Sequence, residues 1–455
     1  MMKRALLALP LLALAACNMA PRYERPQTPV PQQWPQGTAY PAPGADGKAG
    51  LPWAELVSDP KLGTLIGRAL EANRDLRATM ASVVAARAQY RVQRSALLPT
   101  LNADASGTAA RANGRNSESY AAELGISAFE VDLFGRVRNE SRSALENWLA
   151  TQEGARAARI SLVAETADAY ATLAADQQRL ELARSTVASA ERSLQLTQAL
   201  NKAGLASALD VQQAQTIVQQ ARSDIASTST QVAQDRNALE LLTAGPVEDT
   251  LLPASLEEVA SGIGTPPAGL SSAVLLDRPD VLQAEHLLKA ANADIGAARA
   301  ALFPTISLTA ALGVASSALS ALFDHGSFTA SATPSARYSI FGGDKSANLD
   351  ASKAQRDRAL ADYEYAIQTA FREVADALAR AGTIGDQQTA QRELVAASRK
   401  YHALAEQRYR GGVSSYQEAL DAQRTLYSVQ QSAIATDLAA ISNRITLYRV
   451  IGADF

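Results

Sequence analysis

The stretch Ala96 to Gly107, ALLPTLNADASG, returns as Ala301 to Gly313, ALFPTISLTAALG, 205 residues later (301 minus 96). Nothing else in the chain limits its fold as strongly. A period this long is not that of a solenoid, so each copy marks the same place in one of two similar halves. In both, a helix-patterned segment stops at a Leu/Phe-Pro-Thr corner, and small apolar and small polar residues then alternate. Proline ends a helix, and period-two alternation is the pattern of a half-buried strand. Each corner therefore reads as a helix becoming a strand.

After the first corner the alternation fills Leu101 to Asp132, with a turn signal at Asn113-Gly114 in its middle; two strands and a loop are expected. The second copy alternates from Ile306 to Ile340. Ile306, Leu308, Ala310, Leu312 and Val314 share one face, and Tyr120, Ala122, Leu124, Ile126 and Ala128 share another. Segments of about ten residues with one modestly apolar face fit membrane β-strands, and they also fit a soluble amphipathic hairpin. Four strands cannot close a barrel, and open strand edges are not tolerated in lipid. A membrane reading thus requires two, three or four chains sharing one barrel, with four strands from each.

Between the strand pairs lie long stretches without proline. DLFGRVR (Asp132 to Arg138) reopens helix, no proline occurs until Pro246, and none follows Pro334. Helix is expected from Arg136 to Leu200 and from Asp344 to Arg408, each about 65 residues and roughly 97 Å long at 1.5 Å per residue. Ser207 to Thr243 with Pro279 to Leu302, and Ser414 to Val450 with Asp75 to Leu98, give about 61 residues per pair. Each half therefore offers one long rod and two short rods that could stack end to end. Seams repeat every seven residues: Leu173, Leu180, Val187 and Leu194; Val211, Val218, Ile225, Val232 and Leu239; Leu420, Tyr427, Ile434, Ile441 and Tyr448. A strict heptad keeps one face against a neighbour, and it suits a tube of helices around water as well as a solid bundle. The segment from Gly245 to Gly269, rich in Pro and Gly, is expected to pack irregularly outside the junction of two short rods. Gly382 and Gly385 are expected to kink or break the second long rod.

The N-terminus carries an address. Met1-Met2-Lys3-Arg4 is a cationic n-region, and the apolar run Ala5 to Ala16 is too short to span a bilayer. It ends LAAC, the pattern of a bacterial lipoprotein box, so Cys17 is expected to be acylated and to begin the mature chain. Asn18 follows rather than Asp, which in that sorting pattern implies the outer membrane. Cys17 is also the only cysteine, which excludes a disulfide framework and a thiolate metal site. A Pro- and Gln-rich tether follows. At its end Asp59 can cap, Pro60 suits a first turn, and Leu62, Leu65, Ile66, Ala69 and Leu70 form a stripe. Net charge is −3, or −5 without Lys3 and Arg4 (−3 minus 2), and there is no basic run, so nucleic acid is not an expected partner. His286, His325 and His402 lack ligand spacing, and no nucleophile or phosphate-loop motif occurs; no enzyme activity, metal or cofactor is expected beyond the lipid on Cys17.

The long rods end in matching turns, NKAGLASALDVQQAQ (Asn201 to Gln215) and YRGGVSSYQEALDAQ (Tyr409 to Gln423). Gly204 and Gly412 suit helix C-termini, and Ser207 and Ser415 can cap the helices that return. With WAELVSDPKL, the two corners, VDLFGRVR, RPDVLQAE (Arg278 to Glu285) and IFGGDKSA, these motifs fall in an order that resembles the TolC-type outer-membrane efflux proteins, in their lipoprotein (OprM/NodT) branch. The resemblance spans essentially the whole mature chain. It implies a mainly α chain with membrane β: four β-strands and long coiled-coil-like helices, with a homotrimer forming a 12-stranded β-barrel continued by a 12-helix α-barrel tunnel. The implied segments are a signal peptide (1–16), an acylated tether (17–55), a first repeat (56–250, tip 201–207), an equatorial linker (245–270) and a second repeat (271–455, tip 409–415).

The resemblance further implies an exit duct of a tripartite efflux system, anchored in and spanning the outer membrane, with its helical tunnel in the periplasm. Its partners would be a periplasmic adaptor, an inner-membrane RND-type pump and outer-membrane lipid. It assigns Gly204, Leu205, Ala206, Ser207, Gly412, Val413, Ser414 and Ser415 to adaptor contact, and Asp210, Tyr409, Glu418 and Asp421 to the periplasmic aperture. Glu418 and Asp421, three apart, share a helix face, and three copies would form a cation-favouring acidic ring. The other readings are a type I protein-secretion duct and a periplasm-spanning structural lipoprotein. The sequence does not name the exported substrates.

Overall fold

The computed structural model describes residues 18–41, 52–265 and 271–451. The signal peptide and the acylated Cys17 expected from sequence lie outside these residues. Among those described, eight α-helices of seven residues or more occur: α1 (Pro60–Ala72), α2 (Arg74–Ser95), α3 (Arg136–Lys202), α4 (Ala208–Leu242), α5 (Leu256–Gly262), α6 (Pro279–Ala300), α7 (Asp344–Arg410) and α8 (Tyr416–Ile451). Four strands accompany them: β1 (Leu101–Ala112), β2 (Arg115–Glu130), β3 (Thr305–Ser316) and β4 (Phe328–Arg337). The chain divides into two units. The first takes residues up to Gln27, Ala81–Glu153 and Leu282–Ala366; the second takes Thr28–Met80, Gly154–Val281 and Ile367 onward.

The first unit holds the sheet, ordered β1-β2-β3-β4 with every neighbour antiparallel. Asn113 and Gly114 join β1 to β2 with positive φ of 50° and 79°, as a two-residue hairpin whose twist matches its strands requires. The register aligns like with like across all four strands. Ala103, Leu124, Leu312 and Ala330 form one row, and Leu101, Ile126, Ala310 and Ala332 another. The alternate row Asp104, Glu123, Gly313 and Thr329 faces the other way. Over these rows one face of the sheet is apolar, as period-two alternation demands.

The expected apolar face of β2 is corrected at one residue. A bulge between Ile126 and Phe129 sets two residues of β2 against the single Thr309 of β3, which shifts the alternation by one. Phe129, opposite Leu308, continues the apolar face, and Ala128 does not: it sits at φ 50° with its amide donating to Thr309 Oγ1 at 3.1 Å. The same unit explains two of the motifs. Phe134 of VDLFGRVR stacks on Phe303 of the second corner, with ring centroids 4.6 Å apart, and Asp132 accepts the Arg138 amide at 2.8 Å as the chain enters α3.

In the second unit the seams do what heptads predict: every seam residue named above is buried or half-buried. Asp59 caps α1 by accepting the Lys61 amide at 2.8 Å, and Leu62, Leu65, Ile66 and Ala69 are fully buried. The linker after α4 is more regular than its composition suggests. Ile263 pairs with Val57 as an antiparallel bridge, and α5 buries Leu256 and Val259 while Glu258 pairs with Lys61 at 3.2 Å. The long rods are helices of 67 residues each. The break allowed for at Gly382 and Gly385 does not occur, and α7 stays helical through both. Gly382 answers a different need: a Cβ there would lie 2.3 Å from the carbonyl oxygen of Ala39, so its bare Cα lets the N-terminal segment cross the helix.

That segment has no helix or strand of its own in residues 18–41, yet it is fastened in both units. In the second, Trp34 stacks on Phe371 at 5.0 Å, and the carbonyls of Pro31 and Gln32 accept the Ser272 hydroxyl at 3.0 and 2.7 Å. In the first, Glu285 of RPDVLQAE takes Tyr23 Oη at 3.1 Å, both Arg25 and Lys289 as ion pairs, and is itself nearly inaccessible. Burial pushes the Glu285 carboxyl up, but the hydrogen bonds from Arg25 and Lys289 outweigh it and hold the group at about 2. Arg278, at the other end of the motif, is buried in the second unit, where it donates to Val450 O at 2.7 Å and pairs with Glu373 at 2.9 Å.

Candidate functional site

The two long helices finish in the same way. α3 stops at Lys202 and α7 at Arg410, an offset of 208 residues (410 minus 202), and the hydrogen bonds that close them match at that offset. The Leu205 amide donates to Leu200 O at 2.8 Å and the Val413 amide to Arg408 O at 3.0 Å. Gly204 donates to Asn201 O at 2.9 Å and Gly412 to Tyr409 O at 3.0 Å. This closure satisfies carbonyls that a helix end leaves open, and it needs a left-handed residue one place before the last donor. Gly204 and Gly412 supply it with φ of 74° and 70°. The residue that follows is turned outward: Leu205 is 76% exposed and Val413 72%.

The helices that return are started differently. Ser207 and Asp210 form a reciprocal capping box on α4: the Asp210 amide donates to Ser207 Oγ at 3.1 Å, and the Asp210 carboxylate accepts the Ser207 amide at 2.8 Å. The Asn201 amide group holds Ala206 O at 2.8 Å. At the second tip Ser415 and Glu418 occupy the matching positions, and Glu418 lies 3.4 Å from the Arg408 guanidinium, across the turn. Asp421 is exposed and accepts Gln417 Nε2 at 3.0 Å. Ser414 Oγ is buried and has no hydrogen-bond partner among the described residues.

Of the residues that the resemblance assigned to the aperture, the three carboxylates are half-buried or exposed, but Tyr409 is tucked into its own chain. It stands where the first tip has Asn201. Its hydroxyl lies 3.1 Å from Thr197 Oγ1, its ring packs at 5.2 Å against Tyr416, and Ala214 and Leu420 complete the cluster. Tyr409 thereby joins all four helices of the two hairpins. Burial, first of all, raises the Tyr416 hydroxyl above its ordinary value.

A second polar cluster lies higher in the first hairpin and was not singled out from sequence. Asp176 of α3 is buried and pairs with Arg179, and Asp235 of α4 has a buried carboxylate oxygen with no partner among the described residues. Burial and then the neighbouring Asp176 carboxylate push Asp235 up to about 6. The spacing contains the signal: Asp176 is three residues past the seam residue Leu173, and Asp235 three past Val232, so both stand on the apolar face of their helices.

An antiparallel sheet with one apolar face and two free edges, joined in sequence to paired 67-residue helices that turn at matched glycine tips, defines an outer-membrane channel protein. The chain belongs to the outer membrane efflux protein family, whose sequence model matches residues 65–245 and 270–453. It is 44% identical over 465 residues to the probable efflux pump outer membrane protein TtgC of Pseudomonas putida, covering 99% of this chain and 96% of that protein. It is 45% identical over 454 residues to the toluene efflux pump outer membrane protein TtgI of the same species, covering 97% and 96%. The crystal structure of the open state of the Neisseria gonorrhoeae MtrE outer membrane channel superposes with a TM-score of 0.86 at 35% identity, covering 96% of this chain and 98% of that one. Among the described residues no helix is long and apolar enough to cross a membrane.

The Asp176–Asp235 pair generates a prediction. The folded Asp235 titrates at about 6, above its ordinary value of 3.8, so the native state binds the extra proton between those values. Its favourable contribution is present at low pH and is lost as pH rises through 6. Asp235→Asn is expected to raise the melting temperature by about 1–3 °C at pH 7.5 and to leave it unchanged below pH 4, as followed by circular dichroism. An equal shift at both pH values would contradict the raised Asp235 value.

Proposed function

We propose that three copies of this chain close into one barrel and one helical tunnel, forming the exit duct of a tripartite efflux system. The observation that carries this is a mismatch between the two halves. Phe134 meets Phe303 inside the chain, but their counterparts in the other half, Phe341 and Leu98, are left 95% and 72% exposed. The same holds for the sheet: β2 pairs with β3, while β1 and β4 each keep an unpaired edge. A neighbouring copy answers both. With strands alternating in direction, β4 of one copy meets β1 of the next in the antiparallel sense, which removes the edges that lipid does not tolerate. It also brings Phe341 to the side where Leu98 of the neighbour waits. Twelve strands, four from each of three chains, is the count that the family resemblance selects.

In this reading Cys17 carries the lipid anchor in the outer membrane, and the duct is passive, driven by an inner-membrane pump of the RND type. Leu205 and Val413, with Gly204, Ala206, Ser207, Gly412, Ser414 and Ser415 around them, face a periplasmic adaptor. Asp210, Glu418 and Asp421 set the charge of the mouth, and Tyr409 positions the second tip from within the chain. The name of TtgI makes aromatic solvents such as toluene a first substrate class to try.

Two experiments test the tips. Leu205→Asp with Val413→Asp places a charge on each exposed apolar tip, and is expected to abolish solvent or drug resistance in cells while single-channel conductance of the purified protein stays normal. Retained resistance would remove the adaptor assignment. Glu418→Ala with Asp421→Ala is expected to weaken block of that conductance by divalent cations by about tenfold or more; unchanged block would remove the acidic ring.

A further inference from the structure

The first unit contains a cavity of about 570 Å³ between the N-terminal segment, α3 and α6. Its lining is unbalanced in charge. Arg22, Arg142 and Lys289 face it, and the single carboxylate among the described lining residues is Glu146. That carboxylate is already engaged, 2.7 Å from Nδ1 of His286. Lys289 is held in place by Glu285 at 3.0 Å and lies 5.3 Å over the Tyr23 ring. Arg22 and Arg142 have no acidic partner among the described residues. The wall that carries Arg22 is itself fixed, because Asn292 Nδ2 donates to Pro21 O at 2.8 Å and Arg299 donates to Met19 O at 3.3 Å. A concave site with a held ammonium and two exposed guanidinium groups that are unpaired among the described residues suits a phosphate, which takes guanidinium forks in pairs and relieves the repulsion among the cations.

We infer that this cavity binds the phosphate of a membrane phospholipid headgroup. Its place along the helices identifies the source. Arg142 is six residues past the start of α3, about 9 Å along the axis, and Asn292 is eight residues before the end of α6, about 12 Å. Each of those helix ends adjoins a strand, β2 and β3. The polar layer of a bilayer extends about 5–8 Å beyond its hydrocarbon, and arginine stems reach further still to keep their heads at that interface. The cavity also begins at Asn18, the residue after Cys17, the proposed site of the lipid anchor. This inference rests on the proposed placement of the sheet in the outer membrane. The bound lipid would pin the N-terminal segment to the helices just below the barrel, next to the covalent anchor.

Native mass spectrometry of the full-length, delipidated protein tests it, with phosphatidylglycerol and, separately, inorganic phosphate as probes. Wild-type protein is expected to retain phosphatidylglycerol, and Arg22→Gln with Arg142→Gln to reduce that retention about tenfold or more. Arg192→Gln, an exposed position on α3 in the second unit, is expected to retain it like wild type. Equal retention by the double variant overturns the inference, as does arginine-dependent binding of inorganic phosphate without lipid retention, which would mark a free-anion site. Conductance in planar bilayers, measured on the same wild-type preparation, separates the two levels. Its absence would sink the membrane placement, whereas normal conductance with unaltered lipid retention would sink the cavity assignment alone.

Discussion

An antiparallel sheet with one apolar face and two unpaired edges is the constraint on which the rest of this protein depends. Each edge strand presents a row of amide and carbonyl groups, and in hydrocarbon each unpaired group costs several kcal/mol, on the order of 2–7. The sheet of this chain runs β1-β2-β3-β4 with no closure, so a membrane position obliges it to borrow strands from copies of itself. Closure of identical units in a ring is the economical answer.

The duplicated architecture follows from that demand. Two halves that each supply a strand pair and a long helical hairpin make one chain into two-sixths of a ring, and contacts inside the chain foreshadow those between chains. Phe134 on Phe303 is the internal version; in the proposed ring the external one is Phe341 against Leu98 of the next copy, both exposed in the single chain. The tips show the same logic with a deliberate difference. Both end on a left-handed glycine and expose an apolar residue, but the first is stapled by Asn201 and a capping box, and the second by Tyr409 and an ion pair across the turn. The first hairpin closes on itself, whereas the second leans on all four helices.

Much of this was legible because it rests on local rules. Helix ends at Arg136 and Asp344 follow from the proline-free runs, the cap of α1 from Asp59-Pro60, and the hairpin from Asn113-Gly114. Four features were not. The bulge at Ile126–Phe129 depends on how β2 meets Thr309 of a strand far away in sequence, so period-two counting carried Ala128 onto the wrong face. Gly382 was read as a kink because glycine weakens an isolated helix, while its actual use is a crossing by Ala39, more than 300 residues upstream. The charged residues of RPDVLQAE served as a family marker, and their burial with Arg25, Glu373 and Val450 is a tertiary fact. In the tips the glycines and serines were readable from capping chemistry; the inward position of Tyr409 was not, because it requires Thr197 on another helix.

The native mass of the full-length protein, extracted in mild detergent from purified outer membranes, tests the central claim most directly. Three chains per particle is the predicted result, which fixes twelve strands and one closed barrel. A monomer at working concentration, with its two sheet edges free, would contradict the account.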